Sequence, residues 1–247
     1  MQNPYLSVVI PAYKEVDNLQ KGVLEDVYSY LKKQKYSWEV LIVDDGSPDE
    51  TVSLAKSISN SYENFSVIKE PHRGKGGTVI AGILRAKGEF ILFTDMDQAT
   101  PISEVDKLLS KFEQGYDIVI GSRTKRKGAP FYRKIMAYGF IFLRTLILRL
   151  PYRDTQCGFK AIKSETAKSL FEQMKVFGEK TSKDAGVTAG FDLEMLYLAR
   201  KRKLKVAEVP VEWEHKGSVR VNPLKDSYQG LRDLLKVRIN ALKGVYK

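Results

Sequence analysis

Asp95, Met96 and Asp97 form a short motif in this sequence whose chemistry can be defined from its residue types alone. The motif directly follows the apolar run FILF, residues 90–93, which has the composition of a buried β-strand. Neighbouring carboxylates suit Mg²⁺ or Mn²⁺ when the phosphates of a substrate complete the coordination shell. A metal held there would neutralise charge on a departing nucleoside diphosphate. A lone D-x-D is common, so this interpretation depends on the surrounding motifs.

A second acidic pair, Asp44 and Asp45, lies where another apolar run becomes a turn. Asp44 could accept hydrogen bonds from a base or ribose, and Glu15 offers the same chemistry after the first predicted strand. The alternative is a turn followed by a helix, with Asp49 as the helix cap. Both interpretations stay open on the sequence alone.

The segment HRGKGG, residues 72–77, combines cations with glycines just before a predicted helix. Free N–H groups and the macrodipole at a helix N-terminus attract anions. We therefore expect Arg73 or Lys75 to contact a diphosphate, and the alternative is a solvent-exposed basic turn. The spacing differs from that of a Walker A loop.

A basic run begins at Arg123 and continues through residues 125–127 to Arg133. Such runs are usually solvated faces. Here, however, Arg123 follows the predicted strand 118–120, and a helix would place Arg133 and Arg144 on one face. A phosphorylated acceptor would suit that face.

Short β-branched runs alternate with helix-period segments, which predicts β-α-β units and a mainly parallel α/β sheet. The predicted strands are 7–10, 39–43, 66–69, 90–94, 118–120 and 205–213, and the predicted helices are 18–33, 49–59, 76–86 and 102–114. Ligands of open parallel sheets bind beyond the carboxyl ends of the strands, so the motifs should converge in one crevice. Residues 177–190 are predicted to be a mobile loop.

The bulk properties restrict the partners and the compartment. The chain of 247 residues has 41 Lys and Arg against 30 Asp and Glu, and its net charge of +11 favours phosphorylated ligands, polyanions or anionic membranes. The single cysteine, Cys157, excludes an internal disulfide and favours the cytoplasm. No run is long and apolar enough to span a membrane, and the N-terminus is predicted to be a strand rather than a signal peptide.

We predict a catalytic domain over residues 1–222 and a C-terminal amphipathic helical tail over residues 223–247. The tail has apolar residues at helical spacing, namely Leu231, Leu234, Leu235, Ile239 and Leu242. Basic residues lie beside them, namely Arg232, Lys236, Arg238 and Lys243. This pattern is typical of a helix packed on the core or of a helix lying on anionic lipid, and both remain open.

Taken in order, the motifs resemble those of inverting family 2 glycosyltransferases, and in particular the polyprenyl-phosphate (dolichyl-phosphate) β-glucosyltransferase branch. The matching segments are SVVIPAYKE, VDDGSPDET, RGKGGTV, TDMDQATP, GSR, RDTQCGFK, FDLEMLYLA and VAEVPVEW. Residues 153–160, RDTQCGFK, are the best pointer to this branch. This chain has DMDQAT where the branch typically has DADGAT.

The resemblance implies a GT-A fold, a Rossmann-like nucleotide-binding, mainly parallel sheet with flanking helices, and a metal-dependent transfer of glucose from UDP-glucose to a polyprenyl phosphate with inversion. The alternative is a GDP-mannose-dependent enzyme on the same scaffold. Mg²⁺ or Mn²⁺ is the implied cofactor, and the implied location is cytoplasmic, peripherally associated with the inner face of the membrane. Many relatives carry a membrane-spanning anchor that this sequence lacks.

The resemblance also implies the site residues. Pro11, Ala12, Tyr13, Glu15, Asp44 and Asp45 would line the nucleotide pocket, and Lys75, Asp95, Met96 and Asp97 would hold the donor diphosphate, with Asp95 and Asp97 as metal ligands. Arg123 and Arg133 would receive the acceptor phosphate, with Gln156 as a further ligand-binding residue. The predicted catalytic residues are Asp97, Arg123 and Asp192.

Asp192 is expected to face the sugar and to position it rather than to act mainly as a base, because a phosphate monoester is already ionised at neutral pH. Asp192 and Glu194 are too close in sequence to share one helical face. The alternative is that both are ordinary acids at a helix N-terminus.

Two other classes of protein are less consistent with these motifs. A sugar nucleotidyltransferase would carry a G-x-G-type loop where this chain has PAYKE. A basic nucleic-acid-binding protein is permitted by the charge but would not explain acids at successive strand ends. We therefore predict no nucleic-acid partner.

Overall fold

The computed structural model describes residues 3–123, 131–175, 190–214, 216 and 223–246. The strands are β1 (Leu6–Ala12), β2 (Trp38–Asp44), β3 (Phe65–Lys69), β4 (Phe90–Phe93), β5 (Ile118–Arg123), β6 (Lys160–Lys163) and β7 (Val206–Val211). The helices are α1 (Val16–Gln20), α2 (Val23–Leu31), α3 (Thr51–Ser59), α4 (Gly74–Arg85), α5 (Val105–Phe112), α6 (Phe131–Leu148), α7 (Ser164–Phe171), α8 (Phe191–Lys201) and α9 (Pro223–Leu242). A 3₁₀ helix, Ile102–Glu104, precedes α5.

The strands form one seven-stranded sheet in the order β3-β2-β1-β4-β6-β5-β7. Parallel pairs join β1 to β2 and β4, β2 to β3, and β5 to β7. β6 runs antiparallel to both β4 and β5. The predicted mainly parallel α/β sheet with flanking helices is therefore confirmed.

The direction of β6 determines which segments meet at the ligand-binding edge. The chain adds β2 and β3 on one side of β1 and then β4 on the other, which places the topological switch point between β1 and β4. β4 and β5 point the same way because each is antiparallel to β6. The carboxyl ends of β1, β2, β4 and β5 therefore share an edge with the segment that precedes β6.

β6 is absent from the strands predicted above. Its sequence, KAIK, has only four residues and places a lysine at each end, so it lacks the signal of a buried strand. Lys160 is fully buried and Lys163 pairs with Asp117 at 3.2 Å. Tertiary partners, rather than local sequence, stabilise this strand.

Apolar side chains cover both faces of the sheet. Val9 of β1 belongs to one cluster, with residues of α4, α7 and α8, whereas Val8 and Ile10 belong to the other, with residues of α2 and α5. This alternation follows from the two-residue period of a strand. Both clusters stabilise the sheet whose edge holds the candidate site.

Two predicted helices differ in detail from the structure. The predicted helix 18–33 is divided into α1 and α2 at Gly22, whose φ of 77° is left-handed. The predicted helix 102–114 begins with the 3₁₀ turn. Residues 177–189 of the predicted loop lie outside the described residues, and Gly190 precedes α8.

α9 begins at Pro223, where the predicted tail begins. One of its faces is buried in the main core through Leu234 and Val237, and Tyr246 beyond it joins the same cluster. The division into two domains stays a prediction. Within the described residues, no helix combines the length and the apolar character needed to cross a membrane.

Candidate active site

The turn after β4 presents the two carboxylates of the D-x-D motif at the ligand-binding edge. Gln98 N donates to Asp95 O at 3.2 Å, and Ala99 N donates to Asp97 Oδ1 at 3.0 Å, so the turn is fixed by its own backbone. Asp95 and Asp97 are both partly exposed. The Met96 side chain is 2% exposed and packs in the core, so it anchors the turn, and a ligand contact of this residue stays a prediction for its backbone alone.

Lys75 at the start of α4 forms an ion pair with Asp95 Oδ1. Burial alone would lower the pKa of Lys75, but Asp95, with Asp192 and Asp97 further away, raises it above its ordinary value. Lys75 is therefore a permanent cation beside both acids of the motif. That Lys75 contacts a diphosphate stays a prediction.

Gly158 packs directly against the Asp95 carboxylate. A Cβ added at Gly158 would overlap the Asp95 carboxylate, so only glycine leaves room for this side-chain position. Gly158 lies in the segment before β6, which the antiparallel direction of that strand brings to the site. Gly158 was not among the predicted site residues.

The two acids of this turn fit a divalent metal whose coordination shell is completed by the phosphates of a substrate. Within the described part of the chain, no three His, Cys, Asp or Glu side chains cluster as a closed metal site. Asp95 and Asp97 would supply carboxylate oxygens only, and Mg²⁺ and Mn²⁺ sites of this kind take their other ligands from phosphates and water. The ammonium group of Lys75 on Asp95 shows that this carboxylate attracts a cation.

Asp44 at the end of β2 has one oxygen committed to the protein and one available. Its Oδ2 accepts from Gly46 N at 3.0 Å and Ser47 N at 3.1 Å. Its Oδ1 is buried and has no hydrogen-bond donor among the described residues. Because a buried acceptor without a donor is unfavourable, Oδ1 fits an N–H or O–H group of a ligand.

Asp45 has a structural role that corrects its prediction as a nucleotide contact. Its carboxylate accepts from Arg73 N at 2.7 Å and Gly74 N at 3.0 Å, and His72 Nδ1 lies 2.9 Å away. The N-terminus of α4 was predicted to bind a diphosphate, and the Asp45 carboxylate is the anion that binds its first N–H groups in the structure. The Arg73 side chain lies 3.6 Å from Glu70, so of the two cations proposed there Lys75 is the one at the crevice.

The end of β1 forms the neighbouring wall. Pro11 and Ala12 pair with the end of β2, and Ala12 O accepts from Asp45 N at 2.8 Å. The Tyr13 ring stacks on His72 with centroids 4.5 Å apart. Glu15 is buried nearby and accepts from Asn18. These predicted pocket residues are thus adjacent to Asp44, although their contacts with a nucleotide stay a prediction.

Arg123 at the end of β5 is held by Asp154. Its Nε lies 2.6 Å from Oδ2 and its Nη2 lies 2.8 Å from Oδ1, which is a bidentate pair. Its guanidinium also lies over Trp213, 5.7 Å from the ring centroid. Burial would lower the pKa of Arg123, but Asp154 raises it above the ordinary value. Arg123 is therefore a fixed cation whose contact with an acceptor phosphate stays a prediction.

The remaining basic residues of the predicted acceptor face are arranged differently. Arg144 is 1% exposed and donates to Thr155 Oγ1 at 2.8 Å and to Tyr152 O. The expectation that Arg144 faces an acceptor is therefore wrong. Arg133 lies in α6, but its side chain is outside the described part of the structure. Gln156 is exposed, and its N–H donates to Asp154 at 3.3 Å.

Asp192 in the first turn of α8 is 5% exposed and lies 2.7 Å from Lys160 Nζ. Burial raises its pKa, while Lys160 and then Lys75 oppose that effect. Glu194 points elsewhere and accepts from Tyr246 Oη at 2.7 Å, which confirms that the two acids do not share a face. Sequence reasoning missed Asp154 and Lys160 as partners of site residues, although both lie within RDTQCGFK.

Known proteins resemble this chain over most of its length. Residues 7–171 match the family described as Glycosyl transferase family 2. The dolichyl-phosphate β-glucosyltransferase of Dictyostelium discoideum is 35% identical to this chain over 266 residues, covering 100% of this chain and 78% of that protein. The Homo sapiens protein of that name is 32% identical over 263 residues, covering 98% and 77%.

Solved structures confirm the predicted GT-A fold. Mannosyl-3-phosphoglycerate synthase from Rubrobacter xylanophilus has a TM-score of 0.70 at 18% identity, covering 98% of this chain and 75% of that one. Glucosyl-3-phosphoglycerate synthase from Mycobacterium tuberculosis, solved with Mn²⁺, UDP and phosphoglyceric acid, has a TM-score of 0.67 at 19% identity, covering 95% and 78%. At these identities the likeness concerns the fold alone.

Proposed function

Because the chain belongs to glycosyl transferase family 2 and its full-length relatives are named dolichyl-phosphate β-glucosyltransferase, we propose that it transfers glucose from UDP-glucose to a polyprenyl phosphate such as dolichyl phosphate. The observation that carries the proposal is the group of Lys75, Asp95 and Asp97 at the ligand-binding edge. That group supplies a fixed cation and two oxygen donors where a nucleotide diphosphate would lie.

The donor would bind across the switch point between β1 and β4. Asp44 Oδ1 would accept from the base or ribose, which gives this buried oxygen the hydrogen bond it lacks. The diphosphate would then reach Lys75 at the start of α4. Mg²⁺ or Mn²⁺ held by Asp95 and Asp97 would offset the negative charge of the diphosphate.

The acceptor needs little activation, because a phosphate monoester is largely ionised at neutral pH. One of its oxygens would form a bond to the anomeric carbon as the bond to UDP breaks, with inversion and without an obligatory proton transfer. Arg123, fixed by Asp154, would position that phosphate. Asp192, beside Lys75, would face the donor sugar.

α9 presents an apolar face that would meet the membrane containing this lipid. Its outward stripe is at least 36% exposed and consists of Tyr228, Leu231, Leu235, Ile239 and Leu242. The stripe lies opposite the face that buries Leu234 and Val237. α9 therefore packs on the core with one face and exposes a second apolar face, so both interpretations of the tail apply to it.

The neighbouring helix α6 also exposes apolar side chains. It packs against α9 and exposes Phe142 at 67% and Leu146 at 66%, one helical turn apart. Arg232, Lys236 and Lys243 flank the α9 stripe and are exposed. An apolar stripe beside basic residues is typical of a helix that lies on anionic lipid. We propose peripheral attachment through this α6–α9 face, on the cytoplasmic side of the membrane.

The transfer is tested with purified protein, vesicles containing dolichyl phosphate, Mn²⁺ or Mg²⁺, and labelled UDP-glucose or GDP-mannose. We expect lipid-linked glucose from UDP-glucose, loss of product with a chelator, and little product from Asp97→Asn. A matched control is Glu113→Gln, which changes an exposed acid at the C-terminal end of α5. If product forms from GDP-mannose alone, the donor is GDP-mannose and not UDP-glucose. If neither donor gives a lipid-linked sugar, the proposed function is wrong.

Membrane attachment is tested by vesicle flotation. Leu235→Glu with Ile239→Glu should abolish flotation with anionic vesicles, because charged residues would face the acyl chains. Leu84→Glu is the matched control, since Leu84 is 42% exposed but lies on α4. Equal flotation of all variants would rule out the α6–α9 face as the attachment surface.

A further inference from the structure

We propose that Lys160 is a positioning residue that holds the Asp192 carboxylate in place at the crevice. The inference rests on the proposed function, because Asp192 is assigned there to the donor sugar. It goes further by naming the group on which the orientation of Asp192 depends.

Lys160 is fully buried, and its ammonium group forms an ion pair with Asp192. Its Nζ lies 2.7 Å from Asp192 Oδ1, donates to Cys157 O, and lies 5.2 Å from the centroid of the Phe93 ring. A lysine is rarely buried without a partner, since removing an ammonium group from water is strongly unfavourable. These contacts define one position for Nζ and therefore one position for the carboxylate oxygen that meets it.

The register of the sheet explains why the ammonium group lies at this depth. Lys160 is the first residue of β6 and pairs with Phe93, the last residue of β4. Asp95 follows Phe93 by two residues, so Lys160 lies directly beneath the turn that carries the D-x-D motif. On the other side Lys160 pairs with Ile120 of β5, and its backbone is thus fixed from both neighbours.

A purely structural role does not explain a buried ion pair well, because an apolar pair of similar volume stabilises a core at least equally. The Lys160–Asp192 pair also lies next to the Lys75–Asp95 pair, so cations and carboxylates alternate across the crevice floor. Lys160 of β6, Lys75 of α4 and Asp95 after β4 are the charged groups that act on Asp192. Of the two cations, Lys160 lowers the pKa of Asp192 more, and it thereby opposes the protonation of Asp192 that burial favours.

The test compares Lys160→Met, Asp192→Asn and the double variant with the wild-type protein. Met keeps the unbranched chain of lysine, shorter by one atom, without its charge. We expect Lys160→Met to lower kcat by about 10- to 100-fold, as for other supporting partners of site residues, with a change in KM for UDP-glucose of less than about threefold. Without Lys160, the pKa of Asp192 should rise, so the acidic limb of kcat should move to higher pH.

Lys163→Met is the matched control at the other end of β6, where Lys163 pairs with Asp117 away from the crevice. It should leave the position of the acidic limb unchanged. Each single variant of the Lys160–Asp192 pair should lower Tm, because it leaves a buried charge or buried polar group without its partner. The double variant should recover part of the lost Tm, because only an uncharged amide is then left without a partner, but it should not recover kcat.

Carboxyl NMR of Asp192 separates this inference from the proposed function, because it needs no turnover. A higher Asp192 pKa in Lys160→Met than in Lys163→Met supports the positioning role even if wild-type protein makes no lipid-linked glucose. Unchanged Asp192 titration, or a double variant that recovers kcat together with Tm, would show that the pair serves folding alone and would overturn the inference.

Discussion

Asp154 binds Arg123 through both its guanidinium and its backbone N–H, which lies 3.1 Å from Asp154 Oδ2. Asp154 is itself fixed, because its own N–H donates to Glu208 at 2.7 Å. The segment before β6 thus determines where the cation at the end of β5 points.

Asp154→Asn should weaken binding of the lipid acceptor. The amide oxygen can still accept one of the two hydrogen bonds from the guanidinium, but the charge that fixes the guanidinium is lost. The KM for dolichyl phosphate should therefore rise by about tenfold or more. The KM for UDP-glucose should change little. Steady-state kinetics with each substrate varied in turn measure both, and an equal rise in both values would contradict a specific role at the acceptor.

Gly158→Ala should reduce activity because its new methyl group overlaps the Asp95 carboxylate. A displacement of about 1 Å in a reacting group can lower a rate by about 100-fold, and we expect a kcat loss of that order. The matched control is Gly139→Ala in α6, where an added Cβ meets no atom within 4 Å. If Gly158→Ala has the kcat of the wild-type protein, the position of the Asp95 carboxylate does not determine the rate.

The strand-end acids could be predicted because the strands that precede them have a clear apolar pattern. β4 is FILF and β2 is WEVLIVD, so the positions of Asp95 and Asp44 follow once each strand is placed in a parallel sheet. The different roles of Asp44 and Asp45 needed the structure. Successive side chains leave a strand in opposite directions, and Asp45 therefore meets the N-terminus of α4 while Asp44 keeps one oxygen for a ligand.

The supporting pairs could not be predicted because they depend on β6. Local pattern does not reveal a four-residue strand with lysines at both ends, and its antiparallel direction decides that the segment before it reaches the crevice. Arg123 with Asp154 and Lys160 with Asp192 are contacts between residues distant in sequence. No spacing rule indicates such partners.

Asp44→Asn should weaken binding of the nucleotide. The amide oxygen of Asn can still accept from Gly46 N and Ser47 N, but its NH₂ group would then take the place of the buried Oδ1 and present a donor where the ligand needs an acceptor. The Kd for UDP should rise by about tenfold or more, since a hydrogen bond to a charged group contributes about 1.5–3 kcal/mol. Calorimetric titration with UDP measures this, with the exposed Asp17→Asn as control. Unchanged affinity would place the base and ribose elsewhere.

Asp233 on the inner face of α9 should make stability depend on pH. It is 3% exposed, and burial raises its pKa to about 6 from 3.8, with Lys236 and Arg232 opposing that effect. Because the folded pKa is the higher one, the contribution of Asp233 to stability is fully present below pH 3.8 and is lost as pH rises through about 6. The full change in pKa would correspond to about 3 kcal/mol, and because solvent screens a group at the edge of this helix we expect a loss of about 1–2 kcal/mol over that range.

The measurement compares urea unfolding of wild-type protein and Asp233→Asn at pH 4 and pH 7.5. Asn has no titration, so the free energy of unfolding of the variant relative to wild type should rise by about 1–2 kcal/mol between the two pH values. If the new amide changes the free energy of unfolding by the same amount at both pH values, the difference between the two pH values is unaffected. Asp17→Asn, at an exposed position, should show no such change. If the gap between Asp233→Asn and wild type stays the same at both pH values, Asp233 titrates normally and its face of α9 is hydrated.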